Sequence, residues 1–306
     1  MSSIENIKTG FWGMVIIILF ILGGIILYFA GKLAYKEIFK RNIRIEYFQD
    51  RLSAEGKRMN AVIVSAQKTP QDLAYILEFH ETDDSETNIL LKSVLFNNEE
   101  LYGCCIAYEP YQHKKDSLYD APYVYRSADT LVFTNLNDPN YNYLYKDWYL
   151  IPKTLMKPTW SEPYYDEGGG NLLMSTYSVP LFKFDGSKDL FYGIVTVDVS
   201  IEWLTNAVQS IGRVLNGYAI LISENGTILS APNKDLIFHE TIFTLAAEKN
   251  LPVLREIGRD LQQGKSGNRA IEKKMMKNYW HAFYSPIPAN KWGLIILIPD
   301  HELSKI

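Results

Sequence analysis

The chain has little cysteine. Its 306 residues contain two, Cys104 and Cys105, which are adjacent. Neighbouring cysteines rarely bridge each other, because disulfide geometry strains so short a ring. A disulfide scaffold is therefore not expected. The pair lies in the strand-like segment LYGCCIAYEP and is interpreted as two packed small residues rather than as a redox centre.

A basic excess and the spacings typical of metal and phosphate sites are also missing. The formal net charge is −4, which argues against nucleic acid as a partner. The five histidines show no metal-ligand spacing. The run Gly168–Gly170 lacks the strand-glycine-helix context of a phosphate-binding loop. No catalytic constellation is present, so these residues predict no metal, no cofactor and no enzymatic activity of their own.

One long apolar run stands at the N-terminus. From Phe11 to Ala30 the chain carries no charge, and a run of this length matches the ~30 Å hydrocarbon core of a bilayer. It is longer than the apolar region of a secretory signal, and no convincing cleavage site follows it. The sequence therefore predicts a cytoplasmic segment at residues 1–10 and an uncleaved transmembrane anchor at residues 11–31.

The charges around this run point the other way for the rest of the chain. One basic residue, Lys8, precedes the run, and five follow it: Lys32, Lys36, Lys40, Arg41 and Arg44. The positive-inside rule would place the long C-terminal part in the cytoplasm, although long domains can translocate despite such charges. Charge alone therefore leaves the orientation open.

A long stalk helix is predicted at residues 32–68. Apolar residues recur along it at every seventh position: Ile38, Ile45, Leu52, Met59 and Ala66. This pattern indicates a narrow seam on a helix that either dimerises or lies along a domain. We expect a parallel homodimer along the seam. Thr69 and Pro70 predict the end of this helix and the start of another.

Strand-like patterning begins near Ile89 and continues to the C-terminus. Short β-rich segments are bounded by Gly, Pro, Asn and Asp, and an amphipathic helix, IEWLTNAVQSIGRVL, interrupts them. Hairpins are predicted at residues 224–226 and 289–291. The order is span, long helix, larger α+β unit, helix and smaller α+β unit. We expect an α+β fold with units at residues 69–204 and 205–306.

This order resembles the extracytoplasmic double Cache sensor domain of bacterial receptors. The resemblance covers nearly all of the chain after the anchor and is carried by KDWY, WSEPYYDEGGGNLLMSTYSVPLF, GIVTVDVSIEWL, GYAILISENGTIL and WHAFYSPIPANKWGLIILIPDHEL. It implies two PAS-like (Cache) units with antiparallel sheets. The unit at residues 69–204 would lie far from the membrane and hold the ligand, and the unit at 205–306 would lie near it. It also implies a periplasmic or extracellular location, which we take to outweigh the charge rule.

The same resemblance implies a ligand pocket under an aromatic loop. Amino-acid-binding members share a spaced pattern that is similar to seven positions here: Tyr141, Lys146, Trp148, Tyr149, Tyr164, Asp166 and Asp198. The chemistry is sensible on its own terms, because an ammonium group favours carboxylates and aromatic faces. The prolines and glycines of residues 145–170 would hold those rings in place and reduce the ordering cost of binding.

One position departs from the family pattern. Lys146 stands where the family has an arginine that grips the ligand carboxylate, and lysine lacks the planar fork of arginine. An amine or another small polar metabolite therefore remains an alternative to an amino acid. A loop that merely covers the sheet, with Asp198 ending a strand, is a second alternative. A hydrolase or sugar-binding cleft built on Glu162 and Asp166 is a third.

The output is expected beyond Ile306. The resemblance is nearest to sensor domains of membrane-bound PPM-type serine/threonine phosphatases of the sporulation and stress-response kind. Related domains precede histidine kinases and chemoreceptors. Two functions remain in contention: a small-molecule sensor that signals across the membrane, and a membrane-anchored interaction domain without a small ligand.

Overall fold

The computed structural model describes residues 2–128, 130–184, 186, 189–271 and 280–304, and the side chains of residues 21–303 within these ranges. The α-helices are α1 Ser2–Phe79, α2 Asp84–Phe96, α3 Asp147–Leu155, α4 Ile201–Val214, α5 Ile242–Glu248, α6 Pro252–Gln262 and α7 Asp300–Ser304. The strands are β1 Gly103–Tyr108, β2 Pro122–Ser127, β3 Thr130–Asn135, β4 Thr159–Trp160, β5 Tyr164–Tyr165, β6 Leu173–Phe184, β7 Asp189–Ser200, β8 Tyr218–Ile222, β9 Ile228–Ser230, β10 Gly267–Ile271, β11 Trp280–Ile287 and β12 Trp292–Pro299.

The first sheet is antiparallel and built around the long hairpin of β6 and β7. Its strand order is β3-β2-β1-β7-β6-β4, with β5 pairing to β6 beside β4. The central segment of β7, GIVTVDVS, is rich in β-branched residues, which pack well on a pleated surface. Its burial is nearly continuous, because α1 covers one face of the sheet and the segment from Leu136 to Leu155 covers the other.

The second sheet has the order β10-β11-β12-β8-β9 and is also antiparallel. Both predicted hairpins are confirmed here, since β8 pairs with β9 and β11 pairs with β12. The turn between β8 and β9 needs a backbone conformation that favours glycine, and Gly226 supplies it with φ +86°. The described elements therefore confirm the predicted α+β class with antiparallel sheets and a long N-terminal helix.

The long helix does not end at Thr69 and Pro70, as the sequence predicts. It continues as α1 to Phe79, with Pro70 inside it. Proline removes one backbone hydrogen bond from a helix interior, which usually kinks or ends the helix. Here the apolar face continues past Pro70 through Leu73 and Leu77, which are 3% exposed. Packing of that face against the first sheet outweighs the local cost.

The apolar seam of α1 packs against the chain's own sheets, which corrects the predicted use of that seam in a dimer. Leu52 and Ala66 are fully buried and Met59 is 7% exposed, all within one core shared by both sheets. Ile38, nearer the N-terminus, is 60% exposed. A narrow apolar stripe has the same sequence pattern whether its partner is a second copy or a sheet of the same chain. The register proposed for the dimer is therefore wrong from Leu52 onward.

Polar contacts also tie α1 to the second sheet. The Gln67 side chain donates to the Ala289 carbonyl at 2.7 Å, and the Ala289 amide donates to Asn60 Oδ1 at 2.9 Å. Near the other end of this interface, Arg41 forms an ion pair with Asp300 at 2.7 Å. Helix α1 is thus the common support of both sheets.

The candidate anchor lies partly outside the described side chains, which begin at residue 21. Among the described residues, no helix has a stretch long and apolar enough to cross a membrane. The anchor at residues 11–31 stays a prediction from the sequence.

We predict that Ile63→Ala will lower the free energy of unfolding by about 2–5 kcal/mol, because a fully buried side chain leaves a cavity. Ile76 lies on the same helix but is 50% exposed, so Ile76→Ala should change stability by only about 0.5 kcal/mol. Chemical denaturation of the whole chain in mild detergent measures both. Equal effects, or an effect of Ile63→Ala that disappears on dilution, would show that the face packs against another molecule instead.

Candidate ligand-binding site

Asp198 lies in the middle of the first sheet. It is on β7, opposite Gly103 of β1 on one side and Thr176 of β6 on the other. It is 4% exposed. A side chain on Gly103 would collide with Asp198 Oδ2 and the Tyr123 hydroxyl, at 2.6 and 2.3 Å from a Cβ. Glycine at this position leaves room for the carboxylate.

Hydroxyl groups surround this carboxylate. The Tyr123 hydroxyl donates to Asp198 Oδ2 at 2.9 Å, and the Thr176 hydroxyl donates to Oδ1 at 2.7 Å. The Tyr164 hydroxyl lies 2.8 Å from Thr176 Oγ1 and extends the chain of hydrogen bonds. Burial raises the pKa of Asp198 to about 7, and the charge of Asp166 adds to the rise while the two hydroxyl donors oppose it.

Asp166 is the second buried carboxylate and follows β5 by one residue. It is 4% exposed and accepts hydrogen bonds from the Tyr141 hydroxyl at 2.7 Å and the Gly170 amide at 2.7 Å. A Cβ on Gly169 would lie 2.1 Å from Asp166 Oδ2. The three consecutive glycines thus let the backbone wrap closely around a carboxylate.

Two tyrosines, Tyr102 and Tyr164, are affected electrostatically by both carboxylates. The Tyr102 hydroxyl donates to the Gly170 carbonyl at 3.0 Å. The pKa of Tyr164 is raised well above its ordinary value, mainly by burial and further by the charges of Asp198 and Asp166. The pKa of Tyr102 rises to about 12 through burial, with smaller effects of Tyr125 and of the same two carboxylates. Both acids therefore act on one small region of the first sheet.

The two carboxylates have no basic side chain as a partner within the described ranges. None of the ion pairs there involves Asp166 or Asp198. Buried charges are normally paired or bound to a cation, because removing them from water is expensive. The described part of the chain also holds no cluster of three or more groups that could bind a metal ion. The arrangement is suited to an organic cation.

Lys146 and Trp148 lie on the Tyr141 side of the cluster. The Lys146 ammonium sits 4.6 Å from the centre of the Tyr141 ring. Trp148 is 4% exposed, and its indole nitrogen has no hydrogen-bond partner. Burial and the charge of Asp166 raise the pKa of Tyr141, and the indole N–H of Trp148 opposes this rise. The indole therefore lies close to the Tyr141 hydroxyl without good hydrogen-bond geometry.

Tyr149 has a different environment from the one the sequence suggests. Its ring is fully buried, but its hydroxyl donates to Glu109 Oε2 at 2.7 Å. Lys153 donates to both oxygens of Glu109 at 2.8 Å. The hydroxyl of Tyr149 therefore belongs to a separate polar group, and its ring contributes to the aromatic packing behind the site.

Tyr123 and Thr176, which hold Asp198, are absent from the set of residues singled out in the sequence. Thr176 could have been found only from the register of the β6–β7 hairpin, which places it opposite Asp198. Tyr123 comes from β2, which does not pair with β7. No local pattern marks it.

Cavity volume points to a different place. A cleft of about 710 Å³ lies between the β5–β6 turn, α4 and the segment after β9, with Glu202, Arg213 and Lys234 among its lining residues. These three side chains are exposed, so water can solvate their charges. The carboxylate cluster is the stronger candidate, because its carboxylates are buried and no ion pair of the described residues involves them.

Comparison with known proteins finds a local match in sequence. The chain is 30% identical over 94 residues to the human voltage-dependent calcium channel subunit alpha-2/delta-3. The match covers 26% of this chain and 9% of the channel subunit. The chain therefore spans less than a tenth of that relative's length.

Solved structures show a much more extensive likeness. The extracellular domain of mmHK1S-Z3, described as a histidine kinase, is 24% identical with a TM-score of 0.67, covering 87% of this chain and 96% of that one. The ligand-binding domain of the Pseudomonas aeruginosa amino acid chemoreceptor PctB, in complex with L-Gln, is 20% identical with a TM-score of 0.56. The alignment covers 84% of this chain and 92% of that one.

A family model matches the region that holds the site. Residues 87–206 match the methyl-accepting chemotaxis protein-like first PDC sensor domain. This range contains Tyr123, Asp166, Thr176 and Asp198. The chain thus has a PDC or Cache-like fold, the fold of extracellular sensor domains of chemoreceptors and histidine kinases.

Proposed function

We propose that the chain is the extracytoplasmic sensor of a bacterial transmembrane signalling protein. It binds an amino acid or a related amine between Asp166 and Asp198 and passes the signal through its N-terminal helix to a cytoplasmic output domain. The unit at residues 69–204 is the ligand-binding unit, and the unit at residues 205–306 lies nearer the membrane.

The observation that carries this proposal is the pair of buried carboxylates without a basic partner in the described residues. Each of their four oxygens accepts one hydrogen bond from the protein. A carboxylate offers about four acceptor positions, so each carboxylate can accept further bonds. A primary ammonium carries three N–H donors and a positive charge, and it matches both needs.

Aromatic rings and one cation complete the complementarity. Tyr141 and Tyr164 hold their hydroxyls toward the carboxylates, so their rings are near the same region. Rings of this kind attract a desolvated cation by ~0.5–2 kcal/mol each. Lys146, whose ammonium lies beside the Tyr141 ring, is the proposed partner of a ligand carboxylate. The PctB structure, which has a similar fold and contains L-Gln, supports an amino acid as the ligand class.

The route for a signal follows from the packing of α1. This helix lies against β6 and β7, the two strands that carry Thr176 and Asp198. The Gln71 side chain donates to the hydroxyl of Tyr177 at 3.1 Å, and Tyr177 follows Thr176 in β6. A shift of the β6–β7 hairpin on ligand binding would therefore displace α1 directly. Small shifts of packed helices are a common form of switching.

The nature of the output rests on the sequence resemblance alone. A PPM-type serine/threonine phosphatase is the proposal, and a histidine kinase or a chemoreceptor signalling domain is the alternative. A membrane-anchored interaction domain without a small ligand is the competing function. It predicts no binding of any metabolite.

We expect Asp166→Asn and Asp198→Asn each to weaken amine or amino acid binding by about 100-fold or more. Removing one partner of a buried ion pair costs about 3–5 kcal/mol. Calorimetric titration of the whole chain in detergent, against a panel of amino acids, amines and organic acids, measures this. Glu167→Gln is the matched control, because Glu167 is adjacent to Asp166 but exposed. Binding of organic acids alone, or unchanged affinity in both variants, would refute the assignment.

Lys146→Ala should weaken binding of amino acids by roughly tenfold and leave simple amines unaffected, because only the former have a carboxylate to lose its partner. Lys157→Ala, an exposed lysine nearby, is the control. The same titrations with an amino acid and its decarboxylated amine decide the matter. An equal loss for both ligands would contradict a role in carboxylate recognition.

Alkaline phosphatase fused after Ile306 should be active in whole bacteria if this part of the chain lies outside the cytoplasm. The basic residues after the anchor argue against this orientation, but two of them have structural partners. Arg41 pairs with Asp300, and Arg44 donates to the Glu302 carbonyl at 2.7 Å. An inactive phosphatase fusion together with an active cytoplasmic reporter would reverse the proposed topology.

A further inference from the structure

Asp198 is enclosed by groups that cannot neutralise a negative charge. The described groups that face it or act on it from the same face of the sheet are hydroxyls, one thiol and one acid: Tyr102, Cys105, Tyr123, Tyr164, Asp166 and Thr176. The pKa values of its tyrosine and cysteine neighbours all lie above their ordinary values, chiefly because of burial. Those groups therefore stay neutral near pH 7. Among the described residues that act on Asp198, the charged one is Asp166, which has the same sign.

Two carboxylates in one buried region repel each other when both are ionised. Without a cation, this doubly ionised state is costly in free energy. Asp166 accepts one hydrogen bond from the Gly170 amide and one from the Tyr141 hydroxyl. Asp198 has two hydroxyl donors and no amide donor to its side chain. Asp198 is therefore the site at which a proton would reside. Its pKa of about 7 agrees with this assignment.

We propose that Asp198 carries a proton when the site is empty near neutral pH, and that entry of the ligand's ammonium group releases this proton to solvent. The inference rests on the proposed function and adds the regulation of the same site. The ammonium keeps all of its own protons, and its N–H groups donate to the carboxylate that the departing proton leaves behind. The net charge of the buried region is the same before and after the exchange, apart from any charge on the rest of the ligand.

The hydroxyls of Tyr123 and Thr176 are positioning groups that set the pH of this exchange. When Asp198 is ionised, Thr176 uses its one proton to donate to Oδ1, so Tyr164 must in turn donate to Thr176. When Asp198 is protonated, its own O–H needs an acceptor, and one of the two hydroxyls must turn away. Both hydroxyls therefore favour the ionised form.

The first test is the pH dependence of binding, with L-glutamine as the probe, by calorimetry on the whole chain. The affinity should rise by about tenfold per pH unit below pH 7 and level off above it. Titrations at pH 6 in buffers of different ionisation enthalpy should show release of close to one proton. L-glutamine keeps the charges of its ammonium and carboxylate over this range, so the proton comes from the protein.

Thr176→Val should shift the break in this profile toward higher pH, because it removes one donor to the ionised form without changing side-chain shape much. Thr176→Ser should restore the break to the wild-type position. A purely structural role for the hydroxyl would weaken binding equally at all pH values. This comparison therefore separates positioning from packing.

The second test needs no bound molecule. The ordinary pKa of an unfolded Asp is about 3.9, so between roughly pH 4 and 7 the native state holds a proton that the unfolded state has lost. Stability therefore falls as pH rises through this range. Asp198→Asn removes this pH dependence. The Tm of the variant minus that of the wild type should therefore increase by several degrees from pH 5 to pH 8. Glu167→Gln should give a constant difference.

The outcomes separate the two proposals. If L-glutamine binds without proton release and with a flat pH profile, the proton linkage is wrong while the proposed function stands. A Tm difference for Asp198→Asn that does not change with pH also overturns the linkage. If neither L-glutamine nor any other amino acid or amine binds at any pH, the proposed function fails and the linkage fails with it.

Discussion

Burial of one face of α1 against both sheets is the contact on which the rest of this structure depends. The core formed by Leu52, Ile63 and Leu77 is continuous with side chains from β7 and from β12. Burial of apolar surface is the main favourable term in folding, and this shared core is the one that joins both sheets to the helix. The helix also continues past Pro70, where Leu73 and Leu77 extend the same packing. The element that holds the two sheets together is therefore the one that leads toward the N-terminus.

The candidate site shows the opposite physical logic. There, two buried acids have no basic side chain as a partner in the part of the chain that the structure describes. Hydroxyl and amide donors make the arrangement tolerable but do not neutralise it. Buried ionisable groups without a partner are rare in protein interiors. They are found more often at functional sites than in structural cores. A cationic ligand would lower the free-energy cost of burying these two carboxylates by supplying a counter-ion.

The sequence predicted the two hairpins of the second sheet and the α+β class correctly, but it made no prediction of the strand order in either sheet. Turn residues and alternation are local signals, and these features depend on local signals. The end of α1 could not be predicted, because the effect of Pro70 depends on the packing of Leu73 and Leu77. The partner of the α1 seam could not be predicted for the same reason. Asp166 and Asp198 came to attention through a family pattern, whereas Tyr123 and Thr176 are defined by strand register and by a third strand.

The ion pair between Arg41 and Asp300 fixes a point on α1 just outside the folded body. From Ser2 to that point the helix extends for about 60 Å at 1.5 Å per residue. It therefore acts as a lever with its fulcrum at Arg41. A tilt of about 5° about this point would move the far end by about 5 Å. On the other side of Arg41, α1 contacts the strands of the candidate site near Gln71, about 45 Å away at 1.5 Å per residue. A displacement of α1 there would therefore reach the N-terminus at a similar size and in the opposite direction.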